Sequence, residues 1–563
     1  MDQVAQQRVP PRDPDTVMTL ARLGAAHQTR LSFMRQLLRR LNRDDWTITQ
    51  TSFDIDAGGV GHAIYTAQGP DHAYSLVAFA HDLPADQRSD RVIATAWDAT
   101  FTLYDGIPTE ADIARLRDNV PKQESGRISD RELSLSRANR SVRLWDHVVD
   151  ALSAGHQPDE DQVRAVGYLM RTTAVYGSGK FGAADREQTR HRPECAGPFQ
   201  IEMLSVYLTR CFVMDLVEHM ARARSPGTAV PLDPALRRRF GIGNSTGLGM
   251  APFLVNHPAL LNAWVAAREE ALARVRSQPA APEATAQAFR RFAARAQIHA
   301  EGWHSAHPMQ IQKCTDLRSD MKALMAHLDT ADLTTDHPWN RLWLWGEAHL
   351  SLEGQEQLAS LLMEPYGDLV DDLTQCMAAD EQASFPIDGT MPLVRLRDII
   401  EDIYAWALAT DWTARKAQAR VWYTSQAKLE PRLGERALEP IEPYEQPLGP
   451  GRDAVLAHAA LKDAPQSTVA EFLLAHPQHR HIARRAQIAA RLPYAEIRDN
   501  TLSADMLPVD MLRLKLSFFG ACHFDPRSDR WLRINMFQHA PFPHELAETG
   551  DDWTLPPLPM GAQ

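Results

Sequence analysis

Apolar positions along this chain recur in two rhythms. Between Thr16 and Asn42, Leu20, Leu23, Leu31, Met34, Leu37, Leu38 and Leu41 fall at about helical spacing, which predicts one amphipathic helix. The rhythm then changes. Residues 46–54, 61–67, 73–80 and 91–104 are β-branched and aromatic runs, separated by Gly58-Gly59, Gln68-Gly69-Pro70 and the polar stretch 84–90. These predict an antiparallel meander. From about Ile128 to Gly434 the helical period dominates, with Ser277–Pro282 as a helix–helix connection. Beyond it the run Glu439–Gly451 carries prolines and a terminal Gly-Pro-Gly that forbid regular structure. Residues 514–524 and 530–538 then read as strands of a hairpin about the turn Asp525–Asp529.

The pattern predicts an α+β fold, predominantly helical: a central helical body with small antiparallel sheet elements near both termini. The expected organisation is a disordered tail over 1–15, a helix plus β meander over 16–127, and a helical body over 128–436. A Pro-rich linker follows over 437–452, then C-terminal helices plus a hairpin over 453–553 and a tail over 554–563. The sequence Arg-Ser-Asp-Arg occurs at 88–91 and again at 527–530, each time before an apolar strand-like run. Coincidence between two polar turns and an old duplication both account for it. The two terminal sheets are expected to associate, because an isolated hairpin is marginal in water.

Composition narrows the class. Lys plus Arg total 60 against 72 Asp plus Glu, a net charge of −12, which argues against a dedicated nucleic-acid binder. The five cysteines are scattered without a C-x-x-C pair, which disfavours a disulfide framework or a Cys-rich zinc site. No apolar h-region opens the chain and no run is long enough for a membrane span. A soluble cytoplasmic protein is expected, free to form a homo-oligomer.

Two segments concentrate chemistry. The first, residues 171–202, contains Tyr176-Gly177-Ser178-Gly179-Lys180 with Arg171, Arg190 and Arg192 nearby. Backbone N–H groups of such a turn can cradle an anion while the ammonium neutralises it. Phe181 stands where a standard phosphate loop needs a hydroxyl, so that loop is excluded. The second, residues 237–258, sets Asn244, Ser245 and Thr246 among Gly241, Gly243, Gly247 and Gly249, ahead of a predicted helix. A helix N-terminus behind glycines favours an anion. Tyr176 with Lys180, and the spacing of Gly243, Gly247 and Gly249, match short-chain dehydrogenase spacings. Their order is reversed and no βαβ context is evident, so that family is rejected. The bland alternatives are a solvated basic loop and a tight interhelical turn.

Glu301 and His304 form half of a di-iron carboxylate motif without a second copy, so no metal is expected. Cys195, beside cations, is a weak nucleophile candidate. The leading expectation is an enzyme acting on a small anionic metabolite, a carboxylate or phosphate, by lyase- or isomerase-type proton abstraction. Tyr176, Lys180 and Ser245 would be catalytic. Arg171, Ser178, Arg190, Arg192, Asn244 and Thr246 would hold the substrate. The metabolite is the only partner expected, with neither nucleic acid nor membrane, and the cofactor is unknown. A nucleotide-dependent transferase with a non-standard phosphate loop and a non-catalytic helical scaffold or ligand-binding protein are the alternatives.

Overall fold

The fold is taken from a computed structural model. It describes residues 8–82, 97–121, 129–176, 189, 191–195, 197–246, 257–303, 308–377, 388–414, 420–425, 428–434, 446–447, 450–463, 467–498, 508–521, 523–525, 532–548, 553 and 555. Both Arg-Ser-Asp-Arg turns and most of the proline-rich stretch 437–449 lie outside the described residues.

The expected small terminal sheets are replaced by one large mixed sheet. Strands β1 (Thr47–Ile55), β2 (Gly61–Gln68), β3 (Ala73–Ala80) and β4 (Ala99–Asp105) fall on the predicted runs and pair antiparallel in sequence order. The sheet continues through β5 (Glu132–Arg140), β6 (Tyr168–Tyr176) and β7 (Gly241–Thr246), all from the stretch expected to be helical. A separate three-stranded sheet holds β8 (Arg420–Ser425), β9 (Lys428–Gly434) and β10 (Gln446–Pro447). The hairpin of β11 (His523–Asp525) and β12 (Leu532–Met536) completes the large sheet, in the order β1-β2-β3-β4-β5-β6-β7-β12-β11. The hairpin thus joins the meander's sheet, but through β7 and at the opposite end from β1.

Alternation along the strands gives the sheet two buried faces. Tyr65, Leu76, Ala78, Phe101 and Leu103 lie in the main core, with the helix Gln200–Arg224 packed across them. Ile64, Val77, Phe79 and Tyr104 point the other way. The helix Glu110–Asn119 covers them with Ile113 and Leu116, and carries a full capping box from Thr109 to Asp112. A strand sandwiched by helices must be apolar or small on both sides, which is why β3 is buried nearly throughout.

The helices α1 (Phe33–Arg43), α2 (Glu110–Asn119), α3 (Gln200–Arg224), α4 (Pro258–Arg276), α5 (Glu283–Glu301), α6 (Pro308–Thr330), α7 (Pro338–His349) and α8 (Leu352–Leu362) account for most of the main helical body. Trp264, Trp339 and Trp343 are fully buried at its centre. A smaller helical core gathers Leu393, Ile400, Leu461, Phe472 and Ile482.

Three further expectations are corrected. The segment placed in a disordered tail is docked from residue 8 onward: Arg12 is buried and pairs with Glu269 of α4 at 2.8 Å and Glu356 of α8 at 2.7 Å. The single helix expected over 16–42 is broken, and only its second half is α1. Its first half becomes a buried arm in which Gly24 abuts the backbone of Arg513 and Leu514. Residues 514–519, expected as a strand, end the helix Pro508–Leu514 and close it with a π turn, Lys515–Phe519. Gly520, at φ 95°, supplies the left-handed residue that stops it.

Candidate functional site

Every pairing among the described strands is antiparallel except one: β6 and β7 run parallel, with Arg171 beside Gly243 and Thr172 beside Asn244. Parallel neighbours need a long crossover, and here the chain between them passes through α3, which packs on the sheet. Because the two strands point the same way, their carboxyl ends, Tyr176 and Thr246, lie at one edge of the sheet. The glycine-containing segments 177–188 and 247–256 both begin at that edge. They lie outside the described residues, and with them Ser178 and Lys180; Arg190 does too.

This arrangement corrects the local context of several candidates. Tyr176 is the last residue of a strand, and Asn244, Ser245 and Thr246 belong to β7, not to a loop. Gly243 has a packing reason: a Cβ there would come within 2.6 Å of the Tyr168 ring. Glycine in a strand often marks such a close approach. Arg171 and Thr172 are buried in β6, 4% and 2% exposed. Asn244 is nearly buried and its Oδ1 has no hydrogen-bond partner. For Tyr176, Ser245 and Thr246 the backbone alone is described.

Arg192 is committed elsewhere. Its Nη1 and Nη2 donate to Asp105 Oδ1 and Oδ2 at 2.7 and 2.8 Å, a bidentate pair, and Nη1 also donates to the Tyr74 hydroxyl at 3.0 Å. The Asp105 hydrogen bond, against some cost of burial, drives the guanidinium's pKa up. Tyr74 in turn donates to Glu194 at 2.6 Å. His72 Nδ1 lies 2.8 Å from the same carboxylate oxygen, close enough for an ion pair but not aligned for a hydrogen bond. Arg192 is therefore a strut that fastens residues 191–195 to the ends of β3 and β4. The register β3–β4–β5–β6 puts Asp105 at the same sheet edge as Tyr176, two strand spacings away laterally, about 10 Å.

Cys195 sits within this strut, 3.5 Å from the Tyr74 oxygen. Burial pushes its thiol up to about 11, opposite to what a thiolate nucleophile needs. The adjoining cleft, between Arg40, Trp46, Tyr74 and Gln200, has about 20 Å³ of free space, enough for one water and too little for a substrate. Beside the half-motif of Glu301 and His304, His299 packs edge-on to Trp303 at 5.6 Å, while His304 is outside the described residues.

Asp105 and Tyr74 were not singled out by sequence reasoning. Asp105 directly follows the predicted run 91–104, but nothing in one dimension links it to Arg192. No family model, curated protein or solved structure matches this chain.

Proposed function

We propose that this chain binds a small anionic ligand, a carboxylate or a phosphate, at the carboxyl edge of the β6–β7 pair and acts on it as a lyase- or isomerase-type enzyme. The supporting observation is the parallel pairing of β6 with β7, which sets the carboxyl ends of both strands, Tyr176 and Thr246, at one edge. Crevices outside the carboxyl ends of parallel strands are where open sheets take ligands. Arg190 would hold the anion with Ser178 and Thr246, whereas Arg171, buried in β6 five residues before Tyr176, lies too far from that edge to reach it. Tyr176 or Lys180 would carry the proton, and Asn244 and Ser245 with adjacent amides would stabilise developing negative charge. Arg192 drops out of this set, because Asp105 already occupies its fork.

The test is a thermal-shift panel of phosphate, sulfate, simple di- and tricarboxylates and ATP with magnesium, on the full chain and on Lys180→Met and Arg190→Lys. Lysine keeps the charge of Arg190 but loses its planar fork. At least one phosphate or carboxylate should stabilise the parent by roughly 2–3 kcal/mol at a hundredfold excess over Kd, and both variants should lose that gain without a lower unliganded melting temperature. Stabilisation by ATP alone would favour a nucleotide-dependent transferase, whose phosphates would meet Gly177-Ser178-Gly179-Lys180 directly after a strand. No response to any anion would overturn the proposal.

A further inference from the structure

Residues 24–30, Gly-Ala-Ala-His-Gln-Thr-Arg, are buried from Gly24 through Thr29, yet their apolar content is two alanine methyl groups. Little hydrophobic burial holds this loop, so polar contacts must. Thr29 donates its amide and its hydroxyl to the Ser517 carbonyl, at 3.1 and 2.8 Å. Arg30 forms a bidentate pair with Asp371. At the centre, His27 Nε2 lies 2.9 Å from Glu364 Oε1, and both side chains are fully buried. The same carboxylate takes Arg35 from α1, whose Nη1 donates to both oxygens at 2.8 and 2.9 Å.

The tautomer follows from this geometry. Glu364 accepts from Arg35, so it is a carboxylate, and Nε2 of His27 must carry the hydrogen that it receives. Nδ1 is buried with no hydrogen-bond partner. A bare ring nitrogen tolerates that position, whereas an N–H there would be an unsatisfied buried donor on a cation. The charged groups facing the ring are Glu364 after α8, Arg35 from α1 and Arg295 from α5, with the Arg30–Asp371 pair farther along the loop. Protonation would add a second cation to a carboxylate already shared with Arg35 and leave the new Nδ1–H buried without an acceptor among the described residues.

We propose that His27 is an acid-sensitive latch: neutral, it fastens residues 24–30 between Glu364 and the Ser517 turn, and its protonation releases that loop. Burial, with Arg35 and Arg295 adding to it against Glu364, lowers the affinity of the ring for a proton in the closed state. A histidine freed by opening protonates at about 6.5, so the open state gains as pH falls below that value. The sign is fixed: the advantage of the closed loop is full above about pH 6.5 and shrinks below it.

Hydrogen exchange followed by mass spectrometry on the full chain tests this. After correction for intrinsic rates, peptides covering 24–30 should open more at pH 5.5 than at pH 7.5, by up to about tenfold, the factor reached when the closed ring stays neutral one pH unit below 6.5. Peptides from β2 and β3 should not follow. In His27→Gln, whose amide keeps a donor toward Glu364 but does not titrate, the response should vanish. An unchanged response in that variant, or none in the parent, would overturn the latch. Should the variant fail to fold, the ¹⁵N shifts of His27 in the parent decide: a neutral Nε2–H ring at pH 7 is expected, and a doubly protonated ring would refute the proposal.

Discussion

Replacing Arg12 with methionine removes the keystone that docks the N-terminal arm. The guanidinium makes four hydrogen bonds, Nε and Nη2 to Glu269 at 2.8 and 2.9 Å, and Nη1 and Nη2 to Glu356 at 2.7 and 3.1 Å. All three side chains are nearly or wholly shielded, at 6%, 0% and 1% exposure. Removing one partner of a buried ion pair typically costs about 3–5 kcal/mol, because the remaining charge is left in low dielectric. Two compensations place this case near the lower end. Arg268 still donates to Glu269 at 3.0 and 2.8 Å, and Arg22 still reaches Glu356 at 3.1 Å. Arg12→Met should therefore destabilise by about 3 kcal/mol at pH 7.5, read from the urea midpoint of the transition that unfolds α4 and α8.

The acid limb gives a second reading of the same network. Burial would raise the Glu269 carboxyl, but Arg12 and Arg268 outweigh it and hold the group at about 2. A depressed carboxylate contributes stability that is fully present above its unfolded value, about 4.3, and lost as pH falls toward the folded value. The difference between parent and Arg12→Met should shrink between about pH 4.3 and 2. A variant within about 0.5 kcal/mol of the parent, the range of ordinary surface substitutions, would refute the buried docking of residues 8–15.

Three smaller tests accompany it. Asp105→Asn should cost about 1–2 kcal/mol in a thermal or urea melt, because Arg192 keeps Tyr74 but loses its carboxylate; an unchanged melt would deny the strut. With its thiol at about 11, Cys195 should react with iodoacetamide at pH 7.5 at least about tenfold more slowly than exposed Cys376, as mapped by peptide mass spectrometry. Equal rates would contradict its burial. Gly24→Ala would place a methyl 2.4 Å from the Arg513 backbone and should destabilise by about 1–3 kcal/mol, whereas a neutral result would mean the arm is not seated there.

What the sequence discloses follows the kind of signal each element carries. Strands β1 to β4 are β-branched and aromatic runs separated by Gly, Pro and polar residues, so they are legible one at a time. The strand β6 was equally readable locally, since Arg171-Thr-Thr-Ala-Val-Tyr176 is β-branched and aromatic, but it was masked by helical stretches on both sides. In β7 the glycines point the wrong way: Gly243 clears room for the Tyr168 ring, and glycine-rich sequence reads as a loop. Residues 508–520 misled for the opposite reason. The run from Leu514 to Phe519 looks like a strand unless Gly520 is read as a helix stop. The role of Arg192 was undecidable, because its partners Asp105 and Tyr74 reach it only through the sheet register.

The central claim is that an anion binds where β6 and β7 end. Its most direct test is a crystal soaked with tungstate or selenate, anomalously scattering stand-ins for phosphate and sulfate, with the difference peaks located relative to the two strands. The account predicts a well-occupied peak off the shared carboxyl edge, within about 10 Å, two strand spacings, of the Cα atoms of Tyr176 and Thr246, and its loss in Lys180→Met. Strong peaks elsewhere on the molecule with none at that edge would contradict it.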